Sequence, residues 1–273
     1  MKINKAIVSS DSNPMYLDFW DIVSKMWSVK FGITPVLLYF GDNVENISTE
    51  YGEVIQIPIL EGIPVSTQAQ CARIWYAGQC GEEVVITSDI DMLPLSPKYY
   101  VDTIEYIGDD KYVHLNPLNG NTYFPMCYNV GKSSTLKEIL DIDSSFEDFM
   151  NKLIDFSKGK ERSLNVDGLS ALWFLDEIYT TAKVNEYRFV NPDRIIPIVR
   201  AGGQNGYRID RPTWGYDLNL VKENYYYDSH SVRPYSEYKE TIDLLVDTSL
   251  TIGVYNEWIW DTLSSTVWDI EKI

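Results

Sequence analysis

Basic residues are scarce in this 273-residue chain: 23 Lys and Arg stand against 40 Asp and Glu, a formal charge of −17. Such a field repels polyanions, so no nucleic-acid partner is expected, whereas a small anion can still bind beside a cation and one or two placed basic groups. There are three cysteines, Cys71, Cys80 and Cys127, and none is in the C-x-x-C spacing of zinc sites or redox dithiols. They read as reduced core thiols. No run of about eighteen apolar residues occurs, and Met1-Lys2-Ile3-Asn4-Lys5 leads straight into a strand-like stretch without a signal-peptide pattern. A soluble, cytoplasmic protein with no transmembrane segment is expected. Histidine is rarer still, with only His114 and His230.

What is present is alternation of strand and helix signals, the pattern of a mainly parallel α/β sheet with helices on both faces. Ala6–Ser10 is the first expected strand; Asn13 and Pro14 suit a helix start, and apolar residues recur at helical spacing from Tyr16 to Trp27, until Gly32. Pro35–Phe40 and Val54–Leu60 read as further strands, and Thr67 as the cap of a helix through Ala77. Glu82–Ser88 reads as a buried strand that ends in Asp89-Ile90-Asp91. Tyr112–Leu115 and Met126–Val130 follow as strands, then helices over Ser134–Leu140, over Phe146–Phe156 and from about Asp167. One domain over 1–273 is expected, with a nucleotide-binding half at 1–130 and an acceptor-binding half at 131–273.

Open α/β sheets present ligand-binding groups at the carboxyl ends of their strands, and side chains two apart on a strand point the same way. Asp89 and Asp91 are thereby candidates to hold one hard divalent cation against a diphosphate. The acidic composition makes D-x-D triplets expected by chance, and turn-capping aspartates are the ordinary alternative. Asp141-Ile142-Asp143 has the same spacing but follows a helix, where a solvated loop is the better reading. The second candidate segment is Asp228-Ser229-His230-Ser231-Val232-Arg233-Pro234-Tyr235. A neutral imidazole suits Mn2+, and a guanidinium three residues later can grip phosphate oxygens. His114, within a strand-like run, reads as structural.

Val84–Leu95, together with the element order before it, resembles the GT-A family of nucleotide-sugar glycosyltransferases, particularly the glycogenin-like and bacterial galactosyltransferase-like retaining branch and its small viral relatives. The resemblance implies a GT-A fold with a Rossmann-like nucleotide-binding half, a donor that is a nucleotide-diphosphate sugar (a UDP-sugar) and a glycan or glycoprotein acceptor. It implies Mn2+ or Mg2+ held by Asp89, Asp91 and His230, with Ser10 and Asp11 meeting the base and ribose. Arg73 would approach the nucleotide or donor sugar, and Arg233 would stand for the branch's usual lysine at a shorter spacing after the histidine. Asp11 as a turn residue and Arg73 as a solvated helix-face cation are the ordinary alternatives. Asp91 and Asp167 are the expected catalytic residues, the latter from the likeness of Asn165-Val166-Asp167-Gly168 to an acidic helix start beside the acceptor; a plain helix cap is the alternative. Trp214, Tyr216 and Tyr225-Tyr226-Tyr227 are expected as a group to form an acceptor wall or lid, a surface loop whose aromatics pack on the sheet being the ordinary alternative.

A haloacid-dehalogenase-type phosphatase also carries D-x-D, but Gly108-Asp109-Asp110 follows too closely to be its later motif. A nucleotidyltransferase would need a Gly-rich basic loop where Ser9-Ser10-Asp11-Ser12 stands. A non-catalytic carbohydrate- or nucleotide-binding protein of the same fold is the remaining alternative.

Overall fold

The computed structural model describes residues 1–115, 124–158, 172–199 and 206–251. Ten strands are assigned in it: β1 (Lys5–Asp11), β2 (Thr34–Phe40), β3 (Glu53–Gln56), β4 (Val84–Thr87), β5 (Met92–Pro94), β6 (Tyr112–His114), β7 (Asn129–Lys132), β8 (Ile195–Pro197), β9 (Arg208–Asp210) and β10 (Asp228–His230). Seven form one sheet in the order β3-β2-β1-β4-β7-β6-β8, and β5-β10-β9 form a second. The large sheet is mixed and mostly parallel: β1 runs parallel to β2 and β4, β2 to β3 and β6 to β8, while β7 is antiparallel to both neighbours.

Period-two alternation builds a core on each face of this sheet. Ala6, Val8, Leu37, Tyr39, Val84 and Ile86 pack with Phe19, Trp20, Val23 and Trp27 on one side. Ile7, Val36, Leu38, Phe40 and Val85 face Ala69, Ala72 and Ile74 of helix Val65–Ala77 on the other. Both faces are covered, so these strands carry near-continuous apolar runs.

The N-terminal helical region starts as its sequence indicates, with Asn13 accepting the Met15 N–H at 3.0 Å and Pro14 in the first turn. It is not one continuous helix. It divides into Pro14–Leu17, Trp20–Lys25 and a π-turn Met26–Lys30, and it ends at Gly32, whose φ of 64° closes the C-terminus through Gly32 N–H to Ser28 O and Ile33 N–H to Trp27 O. Helices Ser133–Ile139 and Phe146–Ser157 lie close to expectation. Three elements shift. β3 ends at Gln56, short of Pro58, which lacks a donor for the ladder; helix Val65–Ala77 begins directly after Pro64, which places Thr67 inside it and buried; and β7 lies three residues beyond the expected start.

Among the described residues no helix is long and apolar enough to cross a membrane. Cys71 and Cys127 are buried, Cys80 is half-buried, and all three are free thiols, each pushed by burial above its ordinary pKa. Thiolate chemistry is disfavoured at all three.

Lys30 packs against the end of helix Tyr235–Leu250, donating to the Ser249 carbonyl at 2.8 Å and hydroxyl at 2.7 Å. Burial lowers its pKa from 10.5 to about 8. Between those values the unfolded chain binds more protons than the folded one, so this group's contribution to stability rises with pH across that window. The Tm of the wild type relative to Lys30→Met is expected to increase between about pH 7 and about pH 10. A difference independent of pH would show that the ammonium is solvated in the folded state.

Candidate functional site

The strand order reverses between β1 and β4, so the crevice beyond their carboxyl ends is the switch point of the sheet. A cleft of about 350 Å³ opens there. From β1 it receives Ser9, Ser10 and Asp11. The Ser10 hydroxyl donates to the Asp11 carbonyl at 2.9 Å, and the Asp11 carboxylate accepts the Asn13 N–H at 3.0 Å, so Asp11 also serves the turn.

Asp89 and Asp91 do not lie on the strand. They occupy the turn between β4 and β5, closed by Met92 N–H to Asp89 O at 3.2 Å, and both line the cleft. The C-terminal segment arrives through the small sheet. β10 pairs antiparallel with β5 and sets His230 opposite Met92, and the Ser231 N–H donates to the Asp91 carbonyl at 3.0 Å. Two segments about 140 positions apart are thus joined by backbone pairing, which a one-dimensional pattern does not display.

Charge pairing organises the cleft. Arg73, on helix Val65–Ala77, is only 5% exposed, so it is not a solvated helix-face cation. Its guanidinium bonds the Asp89 carboxylate, reaches Asp176 Oδ2 at 3.1 Å and donates to the Ser88 carbonyl at 3.1 Å. Burial pushes the Asp89 carboxyl up, but the Arg73 charge and hydrogen bond outweigh it and hold Asp89 below the usual carboxylate range. Asp176, in the first turn of helix Leu175–Val190, is pushed by burial up to about 6, with Arg73 pulling the other way.

Arg211 Nη2 lies 2.6 Å from Asp91 Oδ2, and Arg233 Nη1 lies 3.5 Å from the same oxygen. Arg233 also sits 4.7 Å over the Tyr16 ring. His230 Nδ1 is 3.0 Å from Asp210 Oδ1 on the neighbouring strand β9. An ionised carboxylate only accepts, so Nδ1 carries the proton and Nε2 keeps its lone pair for a cation, the carboxylate–histidine arrangement that orients metal-binding imidazoles.

Of the residues singled out in the sequence, Ser10, Asp11, Arg73, Asp89, Asp91, His230 and Arg233 all line this one cleft. Asp167 lies outside the described residues. Asp141 stands apart, paired with Lys152 and Lys183 at 3.3 Å each. The imidazole of His114 is bonded to the Pro125 carbonyl at 2.9 Å. Trp214, Tyr216 and Tyr225 to Tyr227 are not among the residues lining the cleft; Trp214 packs against Tyr216, and Tyr227 stacks on Tyr99 at 4.3 Å between centroids. The aromatic lining comes instead from Tyr16, Trp173 and Phe174.

Sequence reasoning missed Asp176, Asp210 and Arg211. Asp176 follows the apolar face of its helix and carries no motif. Asp210-Arg211 acquires its place only through β9–β10 pairing.

The donor chemistry fits a hard cation. Asp89 and Asp91 offer carboxylate oxygens and His230 an imidazole nitrogen, and the lining holds five carboxylates against three guanidiniums. Among the described residues no group of three or more His, Cys, Asp or Glu side chains is placed to hold a metal ion; Arg73 pairs with Asp89 and Arg211 with Asp91.

The mixed, mostly parallel seven-stranded sheet flanked by helices is GT-A-like, a fold shared with a solved structure at 12% identity. No protein-family model and no curated protein matches the sequence. Among solved structures, the glycosyltransferase GlyE of Streptococcus pneumoniae TIGR4 superposes with a TM-score of 0.51 at 12% identity, over 96% of this chain and 64% of that one. Its apo form gives 0.49 at 11% identity over the same shares. The galactosyltransferase LgtC, in complex with donor and acceptor sugar analogs, gives 0.46 at 13% identity over 94% of this chain and 99% of that one. The likeness rests on the first of these and is one of fold, and the chain spans 64% of the GlyE chain's length.

Proposed function

We propose that the protein is a metal-dependent glycosyltransferase that moves a sugar from a nucleotide-diphosphate sugar, a UDP-sugar, to a hydroxyl of a glycan or glycoprotein acceptor with retention at the anomeric carbon. The observation that carries this reading is the convergence of four separate segments on one cleft: Ser10 and Asp11, Arg73, Asp89 with Asp91, and His230 with Arg233.

Asp89, Asp91 and His230 would hold Mn2+ or Mg2+, which when bound neutralises charge on the departing nucleoside diphosphate. Ser10 and Asp11, at the end of β1, offer acceptor oxygens to the ribose and base. Arg233, steadied over the Tyr16 ring, presents its guanidinium to phosphate oxygens. Arg73, with Asp89 on one side and Asp176 on the other, fixes the turn that aims the acid pair. In the transfer the bond from the anomeric carbon to the phosphate oxygen breaks, its electron pair leaves with the diphosphate, and a bond forms to the acceptor oxygen. On the retaining route a departing phosphate oxygen takes the acceptor proton on the same face, so no strong protein base is needed and Asp167 orients sugar or acceptor.

The test is turnover of a panel of nucleotide sugars with Mn2+, with the product's anomeric configuration read by NMR against the donor's. Retention is expected, and Asp167→Asn should slow turnover only moderately while leaving donor binding near the wild-type value. Inversion, with a loss on the order of 10²-fold or more in Asp167→Asn, would instead mark Asp167 as a general base.

A further inference from the structure

Two guanidiniums converge on a single oxygen of Asp91. Arg211 Nη2 is the nearer at 2.6 Å and Arg233 Nη1 lies at 3.5 Å, so two guanidiniums share one carboxylate oxygen. Arg211 is delivered there by local structure: it leaves β9 in a short 3-10 turn, and the preceding Asp210 side chain accepts its N–H at 3.0 Å. Its Nε is buried with no protein acceptor. A guanidinium has five N–H donors in a planar fork that matches phosphate oxygens, and Asp91 supplies a strong acceptor to only one edge.

A divalent cation on Asp91 Oδ2 and Arg211 compete for that oxygen, because the two charges repel and each draws on its lone pairs. Once a cation holds Asp91, two guanidiniums remain beside it without their carboxylate, and the group that best compensates both them and the cation is a diphosphate.

We infer that Arg211 is a further donor-binding residue, a cation that competes with the metal for Asp91 and, when displaced, grips the diphosphate of the nucleotide. The inference rests on the cation–diphosphate reading of the cleft proposed above. It makes metal and nucleotide binding mutually dependent, because each ligand removes the obstacle to the other, and linkage requires the two effects to be equal in size.

Two titrations of the intact protein separate this role from a structural one. Binding of Mn2+ alone is measured by the loss of the free-ion EPR signal, and binding of UDP at saturating Mn2+ by calorimetry, in the wild type and in Arg211→Gln. Arg211→Gln should bind Mn2+ alone several-fold more tightly, because a competitor is gone, and bind UDP with Mn2+ roughly 10- to 100-fold more weakly, because a charged clamp is gone. Arg211→Lys, which keeps the charge but not the fork, should bind Mn2+ alone like the wild type and UDP with Mn2+ more weakly; it carries the test if the glutamine variant does not fold. Weaker Mn2+ binding in Arg211→Gln, unchanged UDP binding, or an Arg211→Lys indistinguishable from the wild type in both titrations would overturn the inference while leaving the proposed function intact. A wild-type protein that binds no UDP with Mn2+ would overturn both.

Discussion

Asp91→Ala is expected to abolish Mn2+-dependent nucleoside-diphosphate binding, a loss of at least roughly 100-fold, while Asp141→Ala leaves it unchanged. Each substitution deletes one carboxylate of a D-x-D triplet, and the surroundings differ. Asp91 is 5% exposed, lines the cleft and faces Arg211 and Arg233. Removing it takes away a proposed cation ligand and leaves two guanidiniums facing each other. Asp141 sits in the turn after helix Ser133–Ile139 at a φ of 51°, with its carboxylate shared between Lys152 and Lys183 outside the cleft. Those exposed pairs contribute little, so Asp141→Ala should shift Tm only slightly. Equal loss of binding in both variants would show that the acid pair in the β4–β5 turn was chosen on the wrong ground.

Arg73→Met should cost about 3–5 kcal/mol of stability, the largest effect of any cleft substitution considered, because it strips the counter-charge from Asp176, which is 2% exposed, and from Asp89. The methionine fills much of the volume but leaves buried charge unpaired, and it also orphans the Ser88 carbonyl that Arg73 serves. Denaturant unfolding of the single variant and of Arg73→Met with Asp176→Leu separates charge from packing. The double variant should regain a large part of the loss, since an apolar pair can replace a buried ion pair nearly without cost. A double variant no more stable than the single would place the cost in packing along helix Val65–Ala77.

How legible this was in the sequence depends on the range of the interaction concerned. The two-sided alternation of β1, β2 and β4, the Asn13-Pro14 helix start and the Gly32 stop are written within a few residues of where they act, and they appear where the pattern puts them. The acid pair was legible as a motif, though for a partly mistaken local reason: Asp89 and Asp91 reach the cleft from a turn, while Ile90 between them is buried in the core. The start of β7 was misplaced because Met126-Cys127-Tyr128 is a continuous buried run like that of a buried strand, yet pairing with β4 and β6 begins only at Asn129. The ion pairs that set the electrostatics were not legible at all. Arg73 meets Asp176 about 100 positions away and Arg211 meets Asp91 about 120 away, and nothing at either end marks the partner. The aromatic run near Tyr226 had the composition of a sugar-binding wall but spends its rings on one another and on Tyr99.

The central claim is that this cleft binds a nucleotide diphosphate through a divalent cation, and calorimetric titration of the wild-type protein with UDP, with Mn2+ and then with excess chelator, tests it most directly. Saturable binding with Mn2+ that is lost on chelation is the result expected from Asp89, Asp91, His230 and Arg233 lining one cleft. UDP binding of equal strength with and without the metal, or no binding of any nucleoside diphosphate under either condition, would contradict it.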